Sequence, residues 1–122
     1  MDNKNDYSDS VGSIRISEDV ISTVTKNATL EIDGVESVST ANTGLKGILT
    51  KTNYTKPIKI EINEDVASIE VSVVVDQSKR IPDLANAVQL NVKNAVQSMT
   101  GLAVSRVDVI IAGVSQNNNE AV

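Results

Sequence analysis

The chain has 122 residues, a net charge of −5 and no Cys, His, Trp or Phe. This length is typical of one domain with one core, and the apolar fraction of 40% is enough to build that core. Without an imidazole or a thiol, the chain lacks the side chains most used in nucleophilic catalysis, zinc sites and disulfides. Only carboxylates, lysines, hydroxyls and amides remain for any chemistry, and we expect no metal and no cofactor.

Charge and hydropathy also limit the location and the partners. The acidic balance opposes extensive binding to nucleic acid phosphates or to an anionic bilayer. No secretory signal opens the sequence, and no apolar stretch is long enough to cross a membrane. We expect a cytoplasmic protein without direct membrane insertion. Polar ends predict flexible tails at 1–12 and 114–122 around a domain at 13–113.

The first elements follow from apolar spacing. Ile14 and Ile16 alternate with polar residues and predict a short strand. Ser17 is a suitable N-cap for a helix that carries apolar residues at every third or fourth position and ends near Gly34. A second strand is predicted at 35–40.

The middle and the end of the chain show stronger patterns. Residues 41–56 predict a loop with one short helical turn, and alternating apolar residues at 58–62 and 69–75 predict a β-hairpin. A second helix is predicted from Pro82 to Gly101, with an apolar face that includes Met99. In the last strand, 102–112, the apolar residues change from even-numbered to odd-numbered positions, which predicts a bulge near Ser105.

The predicted order of elements is β-α-β-β-β-α-β. Runs of strands with only two helices are typical of the α+β class. We therefore predict a mostly antiparallel sheet with both helices packed on one face.

Several sequence blocks together resemble the alkaline shock protein family of Gram-positive bacteria. The segment GSIRISEDVI at 12–21 is similar to the family's opening, and the blocks DGV, KPIKI, IPDLA, MTGL and VDV follow in the family's order. The resemblance covers about residues 12–114. One departure is the strand end at 75–77, where members of the family often carry an aromatic-containing segment.

This resemblance implies a non-enzymatic, cytoplasmic general stress protein that acts in the cell-envelope stress response. Some members of the family are held at the membrane by a small membrane-anchored partner. Others are associated with fatty-acid synthesis and are thought to restrain acetyl-CoA carboxylase, so a regulator that binds this lipid-synthesis enzyme is the alternative function. The family has no established catalytic residues.

The most uneven charge distribution lies between Glu36 and Glu61, a stretch without acidic residues. It contains four lysines that form either a solvated loop or a docking site for an acidic partner or a lipid headgroup; they are Lys46, Lys51, Lys56 and Lys59. Gly44 to Gly47 also spells the GxxG of nucleic acid-binding KH domains. A small RNA-binding module is therefore a third candidate, although the acidic chain makes nucleic acid a poor partner.

Three apolar residues are predicted to lie on otherwise polar faces. Leu90 lies opposite the apolar face of the second helix. Val74 and Ile110 are even-numbered, whereas the main apolar residues of their strands are odd-numbered, so both are predicted on the opposite face of the sheet. If Val74 and Ile110 are neighbours, the outer sheet face carries an aliphatic patch that would favour a homo-oligomer or a scaffold.

The acidic residues around the hairpin could be read as a metal or acid–base site, but they lack the spacing of a calcium loop. An acidic hairpin turn is the simpler interpretation. These residues are Glu61, Glu64, Asp65 and Glu70.

Overall fold

The computed structural model describes residues 12–40 and 56–116. Its elements in chain order are α1 (Glu18–Leu30), β1 (Val35–Val38), β2 (Ile58–Asn63), β3 (Val66–Asp76), α2 (Ile81–Thr100) and β4 (Ala103–Ser115). The predicted α+β class is confirmed. The predicted loop with a helical turn lies almost entirely outside the described residues, as do most of the two predicted tails.

The sheet is organised around β3. Strand β4 pairs with β3 in parallel from Val66 to Asp76 and so occupies one edge of β3 along its whole length. Strands β1 and β2 pair with β3 antiparallel, β2 beside its first half and β1 beside its second half. They therefore share the other edge of β3. The sheet is mostly antiparallel, as predicted, with one parallel pair.

Both helices lie on one face of this sheet and form a single aliphatic core with it. The odd-numbered residues of β3, from Ala67 to Val75, are buried, because alternate residues of a strand point to the same face. The largest core residues come from both helices, β3 and β4; they are Ile21, Ile69, Val71, Val73, Val75, Leu84, Val88, Val92, Val96, Val104 and Val107.

The predicted strand at Ile14–Ile16 is wrong. Residues 12–17 form no strand in the structure, so the observed order is α-β-β-β-α-β. Ser17 is the N-cap of α1, with its Oγ accepting from the Val20 amide at 3.3 Å. Ile16 and Ile21 thus occupy the two positions of a hydrophobic staple and both join the core. The two alternating isoleucines therefore do not share a strand face, because Ile16 packs as a helix staple whereas Ile14 is 88% exposed.

Helix α2 has the predicted bounds to within a residue. Pro82 lies in its first turn, and Gly101 ends it with a left-handed φ of 80° and an amide that donates to Gln97 O at 3.0 Å. The predicted apolar face is wrong at Met99, which is 65% exposed. The buried face instead begins one turn before Val88, at Leu84, and ends at Val96.

Two irregularities shape β4. The register against β3 shifts between Val104 and Arg106, which confirms the predicted bulge near Ser105, and shifts again between Ile111 and Gly113. The first bulge turns Val107 towards the core after Val104. The second places Gly113 beside Val74 on the outer face of the sheet.

Thr25→Val should increase the free energy of unfolding by about 1 kcal/mol. Thr25 is fully buried, its hydroxyl has no hydrogen-bond partner in the described structure, and an unsatisfied buried polar group costs about 1–3 kcal/mol. Urea unfolding followed by circular dichroism measures the change. Thr29→Val is the matched control, since the Thr29 hydroxyl donates to Thr25 O at 2.7 Å and its removal should bring no gain. A less stable Thr25→Val variant would contradict the interpretation.

Candidate functional site

The structure separates the four lysines of the predicted docking site. Lys46 and Lys51 lie outside the described residues, whereas Lys56 is exposed just before β2 and Lys59 is exposed within it. Lys59 lies opposite Glu70 of β3, with Nζ 3.8 Å from a carboxylate oxygen. The stretch that is free of acids along the chain therefore meets an acid across the sheet.

The half of the outer sheet face around Lys59 carries mixed charge. Glu70 lies between Lys59 and Asp108 in the register, and Arg106 of β4 pairs with Asp108 at 3.2 Å. Glu61 is exposed on the same face. Positive and negative groups are thus mixed across three strands, which is typical of a solvated surface.

The acidic residues of the hairpin do not form a metal site. Glu64 adopts a left-handed φ of 58° in the two-residue turn between β2 and β3. Among residues 12–40 and 56–116, no group of three or more acidic side chains is arranged to hold a metal ion.

In the other half of the outer face, Val74, Ile110 and the residues paired with them carry no charge. Val74 is half-buried and lies opposite Ser37 on one side and Gly113 on the other, and Ile110 lies opposite Ser72. Val74 and Ile110 are thus diagonal neighbours. Of the two, Ile110 is the more exposed, at 41%.

Leu90 belongs to a different surface. It is 62% exposed on α2 and borders a groove of about 710 Å³ between α2 and the first half of β4. This groove lies on the helix side of the sheet, whereas Val74 and Ile110 lie on the opposite face. The structure therefore does not bring the three predicted self-association residues together.

Sequence reasoning missed the side chains that cover part of the free edge of β4. Gln97 Oε1 accepts from the Val104 amide at 3.0 Å, and Gln89 Nε2 donates to Val107 O at 3.2 Å. The two glutamines lie eight residues apart, about two helical turns, on the flank of α2 beside β4. Their spacing is the one signal in the sequence that could have indicated this contact.

A further ion pair joins the segment that follows α1 to the segment that precedes α2. Lys79 Nζ lies 2.9 Å from Asp33 Oδ2, beside Gly34, whose φ of 107° and close approach to the Lys79 and Leu84 side chains exclude a β-carbon. The hydrogen bond and charge of Lys79 lower the pKa of Asp33, and the hydrogen bond and charge of Asp33 raise the pKa of Lys79. The pair is exposed, so its small contribution is constant near neutral pH and is lost as the pH falls through the lowered pKa of Asp33.

The fold and these surfaces define a small two-layer α+β domain with exposed aliphatic residues on both faces and a partly covered sheet edge. Residues 6–116 match the alkaline shock protein 23 family, described as having a cell envelope-related function. The chain belongs to this family. The resemblance that the sequence blocks indicated is thereby confirmed.

Individual relatives are moderately similar over nearly their whole length. YqhY of Bacillus subtilis strain 168 is 31% identical, over 91% of this chain and 84% of its own. YloU of the same strain is 30% identical, over 88% and 92%. Spy1614 of Streptococcus pyogenes serotype M6 is 29% identical, over 84% and 88%.

Among solved structures, a MamM CTD variant covers 79% of this chain and 94% of its own, at 12% identity and a TM-score of 0.49. The copper form of another MamM CTD variant covers 84% of this chain, at 11% identity and the same TM-score. Within the described residues, neither helix is both long and apolar enough to cross a membrane.

Gln89→Glu and Gln97→Glu should differ in stability although each adds the same negative charge. A carboxylate at 97 can still accept from the Val104 amide, whereas a carboxylate at 89 cannot donate to Val107 O and leaves two acceptors facing each other. We expect Gln97→Glu to be within about 0.5 kcal/mol of the original chain and Gln89→Glu to lose about 1–2 kcal/mol. Urea unfolding measures both, and equal losses would mean that the amides do not bind the strand edge as described.

Proposed function

We propose that this chain is a non-enzymatic interaction protein of the cell-envelope stress response, acting as a scaffold through contacts with protein partners and with copies of itself. Its membership of a family with a cell envelope-related function supports the setting. The observation that carries the mode of action is the exposure of Leu90 on a helix whose other large aliphatic residues mostly face the core.

The charge distribution supports a second surface for a partner of opposite charge. The chain is acidic overall, yet Lys46, Lys51, Lys56 and Lys59 fall in one stretch without acids. Lys56 is exposed, and Lys59 is exposed with its Nζ 3.8 Å from the half-buried Glu70. An acidic segment of a small membrane-anchored protein would suit this stretch, and such a partner would hold a cytoplasmic chain at the inner face of the membrane.

The lysine stretch is tested by the triple variant Lys46→Glu, Lys51→Glu and Lys56→Glu. We expect capture of partners by the tagged chain from its own cell lysate to be lost, because each change replaces an attraction by a repulsion. Membrane and soluble fractions are analysed separately by mass spectrometry, and circular dichroism checks the fold. The matched control is Arg15→Glu, Lys26→Glu and Arg80→Glu, which changes three exposed cations elsewhere by the same charge.

Each outcome of the capture experiment bears on the proposal. Recovery of a small membrane protein by the original chain and the control, but not by the lysine variant, supports it. Undiminished capture by the lysine variant removes this surface. Recovery of a biotin-dependent carboxylase from the soluble fraction would instead indicate a regulator of lipid synthesis, and partners lost after nuclease treatment would indicate an RNA-binding protein.

Leu90→Lys should weaken self-association by at least tenfold if the exposed helix face contributes to it. A buried Leu in an interface contributes about 1.5–3 kcal/mol, and a lysine there would add a desolvation cost. Sedimentation equilibrium over a range of concentrations measures the association constant. Asn94→Lys, one turn further along the exposed side of α2, makes the same kind of charge change next to the site. An unaltered constant in Leu90→Lys would exclude this helix face.

A further inference from the structure

The two edges of the sheet differ in how they are protected from pairing with another strand. One edge is divided between β1, of four residues, and β2, of six, and β1 is interrupted by a register shift near Ser37. The charged side chains of Lys59 and Glu61 lie along β2. Short, irregular and charged edge strands are the usual means by which proteins prevent unwanted strand pairing.

The other edge is β4, which continues for 13 residues. Its first half is protected, because Gln97 and Gln89 bind the outward-facing Val104 amide and Val107 carbonyl and because Arg106 and Asp108 are charged. Its second half, Val109–Ser115, has the sequence VIIAGVS without any charge. This half includes Ile110 and Val114, both exposed.

The backbone direction along this half follows from Val107. The amide and carbonyl of one residue in a strand point to the same side, and successive residues alternate. Since Val107 O points away from β3 to Gln89, the amides and carbonyls of Val109 and Ile111 also point away from β3. No hydrogen bond to these outward groups is present among the described residues.

We propose that β4 pairs antiparallel with β4 of a second copy, about a two-fold axis at Ile110 and with Val109–Ile111 of each copy at its centre, so that the two sheets become one. This inference rests on the self-association proposed above and assigns it to a defined edge. Val109 of each copy then exchanges both backbone hydrogen bonds with Ile111 of the other. Ile110 of each copy lies opposite its equivalent, as an isologous interface requires.

The charge pattern of β4 favours a second copy as the occupant. With the axis at Ile110, Asp108 lies opposite the small, uncharged Ala112, and the two Asp108 carboxylates are separated by four residues along the paired strands. No like charges face each other across the pair. The half-buried side chains of Val109 and Ile111 would cover each other on the helix face, which extends the core across the edge.

Ile110→Lys and Ile110→Glu test the axis directly. Each variant places like charges opposite each other at the close, non-hydrogen-bonded pair, so each should weaken dimerisation at least tenfold by sedimentation equilibrium. An equimolar mixture should restore a heterodimer, because Lys then faces Glu. Val66→Lys is the matched control, since Val66 is 40% exposed and lies at the far end of the sheet, beside Ala103.

The outcomes separate this edge from self-association in general. A dimer that survives Ile110→Lys but is lost in Leu90→Lys overturns the edge and retains self-association through the helix. A mixture that stays monomeric overturns the two-fold axis at Ile110, and equal weakening by Val66→Lys would show an effect of net charge alone. An original chain that stays monomeric at every concentration overturns the proposal and leaves the edge for a strand from another protein.

Discussion

The complete pairing of β3 is the constraint on which the rest of the structure depends. Within residues 12–40 and 56–116, each of the other three strands pairs with β3, and both edges of β3 are occupied. Its odd-numbered residues form the floor of the core. A slip of one residue in its register would turn the entire buried row to the outer face, so the positions of β1, β2 and β4 are all determined by this one strand.

The parallel pairing of β3 and β4 also determines which edge stays open. Parallel neighbours need a crossover connection, which here is α2, and α2 therefore lies beside β4. A helix of 20 residues is about 30 Å long, while a strand of 13 residues is about 43 Å long. The helix cannot flank the whole strand, so its glutamines reach Val104 and Val107 and the last residues of β4 extend beyond its cover.

Much of this fold could be predicted from the sequence, because apolar periodicity reports burial directly. The hairpin, α2 with its Gly101 cap and the bulge near Ser105 each depend on neighbours close in the chain. The predicted strand at Ile14–Ile16 was wrong because a pattern of only two alternating apolar residues is compatible with both a strand and a helix staple. The pairing of Lys59 with Glu70 and the contact of Gln89 with β4 could not be predicted, since they join residues that only the tertiary fold brings together.

The distribution of charge, more than its total, decides what the domain's surfaces are suited to do. A net charge of −5 would keep two copies apart if it were evenly spread, but Val109–Ser115 carries none of it. The charged groups of β4 lie at Arg106 and Asp108, where they pair with each other. The open edge is therefore the part of the sheet where backbone pairing meets the least electrostatic opposition, and added salt should strengthen an association there by screening the acidic remainder of the two chains.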